Sequence, residues 1–132
     1  MFNHVMLGTS DIARAEQFYG ALLKVLGSQA PASRSTAASG HVRLFFRHDG
    51  NTLGISQPID DEPATAGNGS TLAFRCDTEE RVRAFHDTAV AHGGVSIEDP
   101  PGLRTLGPNS FYLAYVRDPD GNKLCAIHRV QA

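Results

Sequence analysis

The sequence predicts a single α+β domain built from two copies of a strand, helix and three-strand module (βαβββ). Its 132 residues are the length of one domain. A strand-and-helix pattern near the N-terminus returns 67 residues later, and a hairpin pattern returns at a spacing of 71 residues. Two such modules give helices packed on one face of a mixed sheet.

The composition is that of an ordinary packed domain, with 41% hydrophobic and 20% charged residues. A net charge of -2 without clustered Lys or Arg argues against a nucleic-acid or membrane-surface partner. No stretch approaches the ~20 apolar residues of a membrane span, and no targeting segment is evident, so we expect the cytoplasm. Cys76 and Cys125 are too few for a disulfide framework and are predicted to be free thiols.

The first module opens with a short apolar strand, Val5 to Leu7, and a polar corner, Thr9 to Asp11. A helix follows, because apolar residues recur at helical spacing, and Gly27 ends it. The predicted buried positions of this helix are Ile12, Ala15, Tyr19, Leu22, Leu23 and Leu26.

The second module repeats this order with a strand over Thr71 to Cys76. Asp77 is predicted to be the helix N-cap, since Glu79 and Glu80 then fall in the first turn, where acidic residues are favoured. Gly93 and Gly94 end the helix. Its predicted buried stripe is Val82, Phe85, Ala89 and Val90.

Each module ends in a predicted β-hairpin, because Asp-Gly and Gly-Asn between alternating apolar runs favour tight turns. Further short strands are expected near Val95–Glu98 and within Ala30–Ala37. Residues 1–132 thus divide into module 1 (1–58), a linker rich in Pro, Gly and acidic residues (59–69) and module 2 (70–132). The paired runs are His41–Arg47 with Thr52–Gln57, and Ser110–Arg117 with Lys123–Arg129.

Alternation along the strands assigns two faces to the sheet. One parity is apolar and should lie under the helices: Val5, Leu7, Leu53, Ile55, Leu72, Phe74, Leu124 and Ala126. The other parity is mixed and is predicted to line a cavity. It carries His4, Met6, Gly54, Ser56, Thr71, Ala73, Arg75, Lys123 and Cys125.

Two strings resemble signatures of the vicinal-oxygen-chelate family, which includes glyoxalases, bleomycin-resistance proteins and extradiol dioxygenases. They are His4 to Asp11 followed by Phe18-Tyr19, and Asp118-Pro-Asp-Gly-Asn-Lys-Leu124. Both modules match in order, so the resemblance covers nearly the whole chain. It implies the glyoxalase/bleomycin resistance/dihydroxybiphenyl dioxygenase fold, in which tandem modules form a cupped mixed β-sheet.

The resemblance also implies four metal-ligand positions, which fall on His4, Gly54, Thr71 and Cys125. Only His4 keeps the ligand type of the family. Gly54 has no side chain, and Thr71 offers a weak neutral oxygen. A hard cation needs several oxygen donors and catalytic zinc needs three protein ligands, so we expect no metal cofactor. A weakly held divalent metal is the remaining alternative.

His4 and Cys125 are the candidate catalytic residues. His4 could act as a general base or bind substrate, and Cys125 could be a nucleophile if a basic neighbour lowered its pKa. The structural alternative for His4 is a half-buried polar residue, and the structural alternative for Cys125 is a small apolar side chain that fills space in the core. The parity of Arg75 directs its charge into the predicted cavity, where it could bind an acidic small molecule; the alternative is a side chain that extends to the surface. The full set of candidate binding residues is Thr71, Arg75, Tyr112, Tyr115, Phe45 and Gly54.

The leading function is a protein that binds a small organic molecule in the cavity of the sheet, as the bleomycin-resistance branch is understood to do, with the metal site largely lost. The alternative is a lyase or isomerase of the glyoxalase type acting on a small carbonyl compound or thiol adduct. The third alternative is a domain that only pairs with copies of itself or with another protein. A homodimer is expected, because the family commonly completes its cavity across a two-fold interface.

Overall fold

The structure is a computed structural model that describes residues 1–130. This part of the chain confirms the α+β fold of two tandem βαβββ modules. Neither of its helices combines the length and the apolar character that crossing a membrane requires. The elements are β1 (Val5–Gly8), α1 (Ile12–Val25), β2 (Ser33–Thr36), β3 (Val42–His48), β4 (Asn51–Ser56), β5 (Leu72–Arg75), α2 (Glu79–Ala91), β6 (Val95–Leu106), β7 (Asn109–Arg117) and β8 (Lys123–Val130).

The strands form two four-stranded mixed sheets of equivalent topology. Sheet 1 has the order β1-β4-β3-β2 and sheet 2 the order β5-β8-β7-β6. In each sheet the first strand of the module pairs in parallel with the last strand, and the other neighbours are antiparallel. The two strands that begin the modules, β1 and β5, therefore each lie at an edge of a sheet.

The predicted hairpins are confirmed, with strand ends shifted by about one residue. His48 pairs with Asn51 across the first turn, which leaves only Asp49 and Gly50 in the loop. Both loop residues have positive φ (51° and 77°), the conformation of a two-residue turn that matches the strand twist. The second hairpin closes through residues 118–122, because Arg117 pairs with Lys123.

Helix α1 begins and ends as predicted. Asp11 accepts a hydrogen bond from the Arg14 amide (3.0 Å), and Gly27 takes φ +102° after the last turn. The Ser28 amide then donates to the Leu23 carbonyl (2.9 Å), which satisfies the helix end.

Two predictions for α2 were wrong. The N-cap is Thr78, whose hydroxyl accepts from the Arg81 amide (3.1 Å), because only the residue directly before the first helical residue places its oxygen in reach of that amide. Asp77 lies one residue too early. Val90 is 44% exposed, since it follows buried Ala89 by about 100° around the helix and turns away from the sheet.

Strand β6 is much longer than the short strand predicted at Val95–Glu98. It continues to Leu106 through a change of register between Ile97 and Gly102, and Glu98 within this irregularity has φ +58°. Such a bulge bends the strand and admits extra residues without ending it. In module 1 the expected strand within Ala30–Ala37 is short and exposed.

One hydrophobic cluster joins the modules, because α1 and α2 pack against each other as well as on their sheets. Phe18 and Phe85, equivalent in the repeat, are both buried in it. The predicted helix-facing parity is confirmed. Leu53, Ile55, Leu124 and Ala126 are buried, Leu7, Leu72 and Phe74 pack on the cluster, and Val5 is half-buried.

Candidate functional site

A groove lies between the two modules, and we call it the inter-module groove. It lies where β1 and β5 face each other with all their Cα atoms more than 8 Å apart, and its volume is about 1010 Å³. Its apolar lining comes from both modules and includes the half-buried Leu26, Leu72 and Phe74 and the buried core residues Leu23 and Phe46. The half-buried side chains remain accessible to a ligand.

Three of the predicted site residues line this groove: His4, Thr71 and Arg75. His4 is exposed, and its Nδ1 lies 2.7 Å from Oδ1 of Asn3. Arg75 donates to Asp49 (3.2 Å). His4 and Thr71 stand immediately before β1 and β5, so the repeat places them at equivalent positions along the groove.

Gly54 and Phe45 lie elsewhere, on the face of sheet 1 opposite the helices. They are register partners in the β3–β4 hairpin. A Cβ atom at Gly54 would lie 2.1 Å from Sδ of Met6 and 3.2 Å from the Phe45 ring. The Met6 side chain thus occupies the space that a side chain at position 54 would enter.

Cys125 and Tyr115 lie on the corresponding face of sheet 2, where they are register partners. Lys123 covers them from one side. Its Nζ lies 4.6 Å from the centre of the Tyr115 ring and 2.6 Å from Oε2 of Glu98, the residue at the β6 bulge. Only 3% of the Cys125 surface is exposed, and the thiol does not line the inter-module groove.

Tyr112 is on the helix-facing side of sheet 2. It packs against the core, and Arg83 of α2 donates to its hydroxyl (3.0 Å). Tyr112 and Tyr115 differ by three positions in one strand and must therefore project to opposite faces. The candidate residues are consequently distributed over the groove, the outer faces of the two sheets and the interface with α2.

The burial and the pKa of Cys125 favour a structural role over a catalytic one. Burial raises the pKa of the thiol to about 11, against an ordinary 9.0, and a hydrogen bond from Tyr115 offsets only part of this. The Sγ–H donates to the Ala126 carbonyl (3.7 Å). Burial likewise raises the pKa of Cys76 to about 11. The thiolate is the nucleophilic form, so neither cysteine is activated for attack.

These pKa values predict how alkali destabilises the protein. A thiol with a pKa of 9.0 when unfolded and about 11 when folded stabilises the fold fully below pH 9.0, and this contribution is lost as the pH rises through about 11. Urea unfolding across this interval measures the loss. The double variant Cys76→Ala, Cys125→Ala should show a shallower fall than the wild type, and equal slopes would contradict the assignment.

The residues at the implied metal positions do not fit a divalent metal. Met6 fills the space beside Gly54, and Cys125 is a buried, protonated thiol. His4 and Thr71 remain, which is fewer than the three protein ligands that catalytic zinc requires. Within residues 1–130, no three side chains of His, Cys, Asp or Glu are grouped closely enough to hold a metal ion.

The sequence alone did not reveal that the two signature strings contact each other. The turn 118–122 of module 2 packs on the corner between β1 and α1, an arrangement we call the sealed junction. Asp120 accepts from the Ser10 amide (2.8 Å) and the Thr9 hydroxyl (2.6 Å), and Asn122 donates to the Gly8 carbonyl (3.1 Å). These signature residues therefore connect the modules.

A second feature was also missed, at the equivalent junction on the other side of the repeat. There the β3–β4 turn meets the corner between β5 and α2, and five side chains line the inter-module groove. We call this set the charged corner; it consists of His48, Asp49, Arg75, Asp77 and Arg81. The strand parity that identified Arg75 could not find the others, because Asp49 and Asp77 lie in turns, Arg81 lies in a helix and His48 is the last residue of β3.

Comparison with known proteins supports the fold and the family. A crystal structure of a glyoxalase/bleomycin resistance protein from Albidiferax ferrireducens T118 is 47% identical, with TM-score 0.86, and the match covers 98% of this chain and 99% of that one. A fosfomycin resistance protein from Listeria monocytogenes is 18% identical, with TM-score 0.68, over 100% and 93% of the chains, and supports the fold alone. No curated protein matches.

The family model described as the Glyoxalase/Bleomycin resistance protein/Dioxygenase superfamily matches residues 1–126. This span includes module 1, residues 70–126 of module 2 and both signature strings. The chain therefore belongs to the glyoxalase/bleomycin resistance protein/dioxygenase superfamily.

Proposed function

We propose that this protein binds a small organic molecule in the inter-module groove without transforming it, the family's metal site being largely lost. The observation that carries the proposal is the groove itself. Its volume of about 1010 Å³ is at the upper end of small-molecule pockets, and it combines an apolar lining with a few polar side chains. Such a lining buries an apolar ligand while the polar groups fix its orientation.

The alternative, a lyase or isomerase of the glyoxalase type, would need His4 as base beside an activated Cys125 or a metal. His4 lines the groove, whereas Cys125 is buried beneath Tyr115 and Lys123 with a raised pKa. The donor set for a metal is also incomplete. No specific observation on residues 1–130 favours this alternative over binding.

A groove-filling substitution tests the proposal. Ala73 is exposed, lies on β5 and lines the groove, so the side chain of Ala73→Trp would occupy the ligand's space. A thermal-shift screen of small organic molecules on the wild type should find ligands whose affinity falls at least about tenfold in this variant, because tenfold corresponds to only about 1.4 kcal/mol. The ligand recovered by mass spectrometry should be unchanged.

Ser35→Trp is the matched control, since Ser35 is an exposed residue of the edge strand β2 and lies outside the groove. It should leave ligand affinity unchanged. A reaction product in the recovered sample, or ligands that bind Ala73→Trp as well as the wild type, would contradict the proposal.

We further propose that the protein is a homodimer in the cytoplasm. Its sheets end in edge strands whose outer hydrogen-bonding groups have no strand partner within residues 1–130, and apolar surface is exposed by Met6 in β1 and by Phe2 before it. Unprotected edges and apolar patches favour pairing with a second copy. Sedimentation should give twice the chain mass of 14.2 kDa, and a monomer at all concentrations would contradict this.

A further inference from the structure

We infer that the ligand of the inter-module groove is an anion, with an apolar body and one carboxylate that binds at the charged corner. This inference rests on the proposed function and specifies its ligand class. It follows from a difference between the two equivalent junctions of the duplicated chain.

At the sealed junction, hydrogen-bond donors and acceptors of the two modules are paired with one another. Asp120 accepts three hydrogen bonds from the first corner, including one from Arg14 at 3.0 Å. Asp49 occupies the equivalent position in module 1, and within residues 1–130 its carboxylate accepts a hydrogen bond from Arg75 alone. The same turn and corner thus form a closed contact on one side of the repeat and an open, charged one on the other.

The Arg75–Asp49 pair is easily exchanged for a ligand. The side chains are 80% and 66% exposed and the contact is 3.2 Å long. Pairs this exposed contribute little to stability, because water screens them and two flexible side chains must be held in place. A ligand carboxylate shielded by the groove would compete well for the Arg75 guanidinium.

Arg81 adds a second guanidinium. It is half-buried, and its Nη1 donates to the Leu26 carbonyl at the end of α1 (2.9 Å). An arginine carries five N–H donors, so this one bond fixes the group in place while other donors remain for a planar carboxylate. His48 lies close by, since a Cβ on Gly27 would be 3.4 Å from Arg81 Nη1 and 3.9 Å from the His48 ring.

The guanidinium groups of Arg75 and Arg81 are the groove cations offered to a ligand, because the third cation of the lining, Lys123, is paired with Oε2 of Glu98 at 2.6 Å. Two guanidinium groups at one corner favour a bound anion. The leucine and phenylalanine side chains of the same groove require that the anion also carry an apolar body.

Three probes with one ring system test the inference: 2-naphthoate, 2-naphthamide and 2-naphthylmethylammonium. Isothermal titration of the full chain should show the tightest binding for 2-naphthoate, weakened by added NaCl because salt screens exposed charges. Arg75→Gln should weaken binding of 2-naphthoate about fivefold and leave 2-naphthamide unchanged. Arg47→Gln, an exposed arginine outside the groove, is the control and should change neither.

The outcomes separate this inference from the proposed function. Equal affinity for the three probes, or an unchanged 2-naphthoate affinity in Arg75→Gln, overturns the anion preference and leaves groove binding intact. Failure of all three probes to bind also overturns it. The proposed function fails on a different result, namely screen ligands that Ala73→Trp does not exclude.

Discussion

Replacing Asp118 by Ala is expected to lower the free energy of unfolding by about 3 kcal/mol or more. The Asp118 carboxylate is buried and accepts from the Asp120 amide (3.0 Å), the Asn122 amide (2.8 Å) and Asn122 Nδ2 (2.8 Å). It also accepts from the Tyr19 hydroxyl. Each buried donor left without a partner costs about 1–3 kcal/mol, and several would be left at once.

Urea unfolding followed by circular dichroism measures this loss. Asp99→Ala is the control, because this aspartate is exposed and such substitutions usually change stability by less than about 0.5 kcal/mol. Asp118→Asn keeps the shape but replaces one accepting oxygen with a donor, so its loss should lie between those of the other two variants. A loss below about 1 kcal/mol in Asp118→Ala would show that water replaces the carboxylate.

Phe18→Ala and Phe85→Ala are each expected to destabilise the protein by about 3–5 kcal/mol. Phe18 is 0% and Phe85 1% exposed. Each ring packs on a second aromatic side chain, Tyr19 for the former and Phe74 for the latter. Truncation removes the burial of a large apolar group and leaves a cavity that the surrounding helix and sheet fill only in part.

Both variants should unfold in a single transition, because one continuous core connects the modules. Coincident denaturation curves from circular dichroism and tyrosine fluorescence would establish this. Ile59→Ala provides the control, since Ile59 is 70% exposed in the linker and its loss should be nearly neutral. A variant in which one module unfolds before the other would show that the shared cluster does not couple them.

The fold was predictable because repetition, caps and alternation are local properties of the chain. Gly27 ends α1 and the Asp49-Gly50 turn closes its hairpin through backbone conformations that few other residues adopt. The errors at Asp77 and Val90 are displacements of one residue, which sequence patterns resolve poorly. The length of β6 was missed because a bulge interrupts its alternation.

The candidate site was harder to predict because parity identifies the face of a strand but not the surface that the face lines. His4 and Cys125 share a parity, yet one borders the groove and the other is buried under neighbouring side chains. Tyr112 and Tyr115 could not both face one cavity, which alternation alone should have revealed. The charged corner depends on how two modules meet, a long-range property that no local pattern reports.

The difference between the sealed junction and the charged corner is possible because the two modules belong to one chain and differ in sequence. Two separate identical modules related by a two-fold axis would have to form the same contact twice, so any residue that sealed one contact would seal the other. Covalent linkage removes that constraint. One contact between the modules can then stabilise the fold. The equivalent contact can stay open and acquire side chains that bind a small molecule.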